Sequence, residues 1–112
     1  MDVTLGRFTI ALKKPASFTL AREVTMAVGT SAIRGLGAAL GACWGGKPLK
    51  ATYKYDALAY GGAVVDELMA LGVPEAEIYA AGKIALDLVI ESLPREEAVA
   101  QSETFTEAQT EG

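Results

Sequence analysis

Histidine is absent from the 112 residues, cysteine occurs once, and no long apolar run goes uninterrupted. Without histidine the chain lacks the commonest general base at neutral pH and the commonest transition-metal ligand. The single Cys43 has no partner for an internal disulfide, and Met1-Asp2 does not begin the charged start and apolar stretch of a secretory signal. A reducing, cytoplasmic setting is therefore expected. The most apolar stretch, residues 24–46, is centred on Arg34 and diluted by six glycines. An arginine at mid-membrane costs about 2.5 to 3.5 kcal/mol, so a membrane span is not expected.

Bases are scarce in the second half. Residues 56–112 carry two Lys/Arg against twelve Asp/Glu, a balance of −10, while residues 1–55 carry eight against two, a balance of +6. Such a split offers two electrostatic surfaces able to attract each other within or between chains, which points to assembly, including pairing between copies, before chemistry. The acidic half divides again: residues 94–112 hold five acids and Arg95, leaving seven acids and Lys83 in residues 56–93.

The length and an apolar share of 51% suit one small domain. Residues 3–12 alternate with a phase shift at Gly6-Arg7, which fits a strand pair or a bulged strand, and Pro15 closes the segment. A first helix is expected from Ala16 or Ser17 to about Val28, with Phe18, Ala21, Val24 (or Thr25) and Val28 inward and Gly29 as its stop. A second runs from about Ala32 to Trp44 after Thr30-Ser31, with Ile33, Leu36, Leu40 and Trp44 in one stripe and Gly37 and Gly41 on an adjoining face.

Residues 47–55 read as a basic, aromatic loop. A third helix follows from the Asp56 cap to about Leu71, with Leu58, Val64 (with Val65), Leu68 and Leu71 inward and Gly72 as the stop. A fourth runs from Pro74, at the first helical position, to about Leu93. Its inward face is Ile78, Ala81, Ala85, Leu88 and either Val89 or Ser92. The fold class expected is mainly α: a small bundle of about four helices in a single domain, residues 1–93, whose residues 1–14 form a short N-terminal β segment. Residues 94–112, polar and acidic, form a flexible tail.

The candidate chemistry is thin. Asp66-Glu67 are adjacent and so point to different faces of a helix, and Glu75 and Glu77 stand where a helix start favours acids anyway. Cys43, near a helix C-terminus, sits where the dipole disfavours a thiolate, so packing is its expected role. Gly35-x-Gly37-x-x-x-Gly41 lacks the preceding strand and the closing Lys-Ser/Thr of a phosphate loop, which leaves close helix packing. Lys47, Lys50 and Lys54 interleave with Tyr53 and Tyr55, but a sequence pI near 4.8 argues against nucleic acid as the partner. No catalytic residue, metal or cofactor is assigned.

Four segments, covering most of residues 15–94, carry a resemblance: Pro15-x-Ser17-Phe18 with Arg22-Glu23, Ala38-Ala39-Leu40-Gly41-x-Cys43-Trp44, Tyr60-Gly61-x-x-Val64-x-Asp66-Glu67-Leu68, and Ala81-Gly82 before Pro94. The chain resembles the small tail assembly chaperones of tailed phages and prophages. The resemblance implies a helical, non-enzymatic protein of the infected or lysogenic bacterial cytoplasm that binds the tape-measure protein and recruits tail tube subunits. A virion structural part, such as a head-tail adaptor or minor tail protein, is the alternative. For the partner-binding surface the expectation is an apolar groove of Leu36, Gly37, Leu40, Gly41, Trp44, Tyr53, Tyr55 and Tyr60, with Phe105 as an anchor on the acidic tail.

Overall fold

The computed structural model describes residues 2–15, 17–45, 49–54 and 56–93. The tail of residues 94–112, with Phe105, and also Tyr55 and Lys47 lie outside the described residues.

The phase shift at Gly6-Arg7 is a two-residue hairpin turn. Strands β1 (Asp2–Leu5) and β2 (Phe8–Ala11) pair antiparallel, with Val3 opposite Ile10 and Leu5 opposite Phe8. Gly6 has φ +58° and Arg7 does not share the positive φ, the pattern of a type II′ turn, which suits glycine first. The turn resets the alternation so that Val3, Leu5 and Ile10 share the buried face while Thr4 and Thr9 face water.

Helix α1 (Phe18–Thr30) starts at Ser17, whose Oγ accepts the Leu20 N–H at 3.2 Å. Gly29 does not stop it; the helix runs past Gly29 and ends where Ser31 turns extended (φ −147°, ψ 109°). Ser31 also precedes helix α2 (Ala32–Ala42), without a side-chain cap bond. This second helix stops two residues short of the expected Trp44, at Cys43. Helix α3 (Ala57–Ala70) is capped by Asp56, whose Oδ1 accepts the N–H groups of Leu58 and Ala59.

The end of α3 is a Schellman reversal. Gly72 adopts φ +87°, its N–H reaches the Met69 carbonyl at 3.0 Å, and the Val73 N–H reaches the Leu68 carbonyl at 3.0 Å. That reversal buries Val73 and leaves Leu71, expected inward, 56% exposed. Helix α4 (Glu75–Ser92) follows at once, with Pro74 as its cap (ψ 144°) rather than its first residue. Its buried residues are Ile78, Ala81, Gly82, Ala85, Leu86 and Val89; Leu86 joins the expected face, and Leu88, expected inward, is half-buried.

At the centre lies α2, every residue of which from Gly35 to Leu40 is buried. Glycines at its crossings let three neighbours approach at backbone distance, two of them on α2 and one on α4. Gly35 faces Val28 of α1, Gly37 faces the Gly61 carbonyl of α3, and Leu36 packs on Gly82 of α4. The hairpin covers a further side, its turn resting on Val73 and Ala11 lying against Gly45. Leu5, Val24, Leu36, Leu40, Val64, Leu68, Ile78 and Val89 fill the interior.

This corrects the expected groove. Leu36 and Leu40 are 1% and 0% exposed, and Gly37 and Gly41 are occupied by Val65 with Gly61 and by Tyr60. The chain's own helices fill the small-residue face of α2, so Leu36, Gly37 and Leu40 are buried and present nothing to an outside partner, while Gly41 is half-buried beneath Tyr60. Periodicity identified the apolar face correctly but assigned it the wrong occupant.

Candidate functional site

The remaining site residues that are described, Trp44, Tyr53 and Tyr60, lie on the link that follows α2 and at the start of α3. Trp44 is half-buried against the core, one residue beyond the Cys43 cap. Residues 49–54 run along α3, and Glu67 fixes them there: its Oε2 accepts the Lys50 N–H at 3.0 Å and its Oε1 accepts the Ala51 N–H at 2.9 Å. One carboxylate thus satisfies two consecutive backbone donors that a loop would otherwise leave to water.

Held in this way, Tyr53 meets Tyr60 of α3 edge to face, ring centroids 6.0 Å apart and planes at 75°. Tyr60 in turn lies over Gly41, where a Cβ would come within 2.5 Å of its hydroxyl oxygen. Burial, and then the negative charge of Glu67, raise the Tyr60 hydroxyl above its ordinary pKa. Beside the pair is an open depression of about 230 Å³ lined by Thr52, Lys54, Asp56, Ala59, Tyr60 and Ala63. Lys50 and Lys54 are exposed. The surface therefore joins two tyrosine rings to two exposed cations.

Glu67 is the residue that sequence reading missed. Set aside with Asp66 as an unremarkable acidic pair, it alone turns toward the link while Asp66 stays exposed. The one available signal was an acid on the third helix seven positions after Tyr60, opposite a basic loop.

Elsewhere the chemistry is structural. Cys43 is 1% exposed, its thiol donates to the Ala85 carbonyl at 3.5 Å, and burial pushes its pKa up to about 12. Among the described residues there is no group of three or more Cys, Asp and Glu placed to hold a metal ion, and no helix is long and apolar enough to cross a membrane. The opposed charges of the two halves meet within the subunit in at least one place, Lys14 to Glu91 at 3.9 Å, while the Glu67 clamp ties the basic link to the acidic third helix.

Comparison of the chain with protein-family models, with curated proteins and with solved structures gives no match.

Proposed function

We propose that this protein is a non-enzymatic assembly chaperone for a phage or prophage tail, binding the helical tape-measure protein and recruiting tail tube subunits in the bacterial cytoplasm. The observation that carries the binding half of this reading is the Tyr53–Tyr60 pair with Lys54 beside an open depression. An amphipathic helix docks by inserting spaced apolar anchors between such rings, and exposed cations select its acidic flank. The naming of the partners rests on the resemblance in residues 15–94.

The small helical body supports the reading in a second way. Most of its large apolar residues are consumed by packing around α2, Met26, Met69 and Leu71 being exposed, so recognition falls to a surface of charges and isolated apolar side chains. Self-association through the oppositely charged halves belongs to the proposal on a reduced scale, because Lys14 and the link are already engaged within the subunit. Sedimentation at low and high salt tests that part, since screening acts over about 8 Å at physiological ionic strength.

Co-expression with the tape-measure and tube proteins of the same tail gene cluster, followed by pull-down, tests the function. Recovery of a complex with the tape-measure protein is the expected result, and recovery of neither partner would overturn the assignment. Mass spectrometry of purified particles separates the chaperone from a head-tail adaptor or minor tail protein. The chaperone is absent from finished tails and the structural part is retained.

A further inference from the structure

On the other side of Asp56 lies a second depression, about 260 Å³ in volume, between the last turns of α1 and the first turn of α3. Glu23, Met26, Ala27 and Thr30 line it from one face of α1, at the i, i+3, i+4, i+7 spacing that aligns side chains along a helix, and Asp56 and Leu58 close it from α3. Met26 is 68% exposed, the most solvent-accessible of the large apolar side chains identified as exposed among the described residues. Glu23 is half-buried, and its Oε2 is shut off from water with no hydrogen-bond partner among the described residues. Among the described residues no Lys or Arg lines this groove; Asp56 Oδ1 is taken up by the α3 cap, which leaves Glu23 as the carboxylate without a bonded partner among the groove's lining.

A native chain rarely keeps a carboxylate oxygen both shielded and unbonded, and such exceptions concentrate at functional or strained sites. We propose that this groove is the acidic half of one helix-docking surface and that it takes a Lys or Arg flanked by apolar residues on an amphipathic partner helix. The inference rests on the helix-binding reading above and adds the chemistry and direction of the ligand. Asp56 lines both depressions, so the two adjoin at that residue, acidic and apolar toward α1, and aromatic and basic toward Lys54. A helix lying across them is oriented by charge: its basic residue goes to Glu23 and its acidic residue to Lys54. Met26 supplies the adaptable apolar contact, as an unbranched thioether does at surfaces that receive helices. A side-chain rotation at Glu23 presents its unbonded oxygen to the incoming cation, a change of the size usual at interfaces.

The test is an NMR titration of the isotopically labelled full chain with two designed amphipathic helical peptides, identical except for Arg or Glu at one position beside the apolar stripe. The Arg peptide is expected to shift the amides of Glu23, Met26, Ala27, Thr30 and Leu58, and to bind at least tenfold more tightly than the Glu peptide. Glu23→Gln should reduce that preference to within about threefold while the chain melts no lower than wild type. Equal binding of the two peptides, shifts that bypass α1, or no binding at all would overturn the inference. Pull-down of the tape-measure protein by the wild-type chain is read separately. Its failure beside a positive titration would remove the proposed partner and leave the groove's chemistry standing.

Discussion

Gly37 of α2 faces Gly61 of α3 so closely that a Cβ on Gly37 would lie 2.5 Å from the Gly61 carbonyl oxygen. That crossing decides how the bundle closes, because α3 can reach the centre of α2 only where both chains lack a side chain.

Substitution at this crossing should therefore destabilise despite alanine's better helix propensity. Gly37→Ala or Gly61→Ala is expected to cost about 1 to 3 kcal/mol by overpacking. Gly29→Ala, in α1 with nothing among the described residues within 4 Å of the added methyl, is expected to gain about 0.5 to 1 kcal/mol. Urea unfolding of the three variants gives the comparison, and a loss at Gly29 equal to that at Gly61 would refute the packing account.

The clamp on the link makes a graded prediction. Glu67→Ala removes acceptors from the Lys50 and Ala51 N–H groups and should cost about 1 to 3 kcal/mol. Glu67→Gln keeps one acceptor oxygen and should fall between Ala and wild type. Limited proteolysis should cut Glu67→Ala within residues 49–54 faster than wild type. Identical digestion patterns would mean that the carboxylate does not hold the link.

Alkaline pH should weaken the fold through Cys43. Its folded pKa lies near 12, above the ordinary 9.0, so the native state holds the thiol proton longer than the unfolded chain does. Stability from this group is complete below about pH 9 and falls by roughly 1.4 kcal/mol per pH unit until about pH 12. Tyr60, also raised, adds a decline in the same direction above its ordinary 10.0. Cys43→Val should flatten the loss between pH 9 and 10, measured by urea midpoints across the range. An unchanged slope in that variant would assign the decline to other groups.

The exposed Lys14–Glu91 pair should matter little. Both side chains are about 60% exposed, and such pairs contribute about 0 to 1 kcal/mol. Lys14→Gln is expected to melt within a degree or two of wild type at physiological salt, and a large loss would reveal a network beyond this contact.

Much of the fold was legible because caps and turns are local devices. Gly6-Arg7, Ser17, Asp56 and Gly72 each perform within a few residues the task their side chains or backbone freedom allow. Leu71 was misplaced because apolar spacing continues through a helix end, whereas the left-handed Gly72 redirects the chain and gives the buried position to Val73. The site was read only in part for a comparable reason. Spacing showed that Leu36, Gly37, Leu40 and Gly41 form one apolar, small-residue region, but nothing local says whether Gly61 and Tyr60 of the same chain or a foreign helix will cover it. The Glu67 clamp was hidden because it depends on where a loop crosses a helix, a tertiary fact with no sequence period.

The most direct test of the central claim is quantitative pull-down of the co-expressed tape-measure protein by the wild-type chain and by a Tyr53→Ala, Lys54→Glu double variant. Thermal melting confirms in parallel that the variant is folded. The account predicts that wild type retains the tape-measure protein and that the variant, still folded, retains at least tenfold less. Retention by the folded variant equal to wild type, or none by wild type, would contradict it.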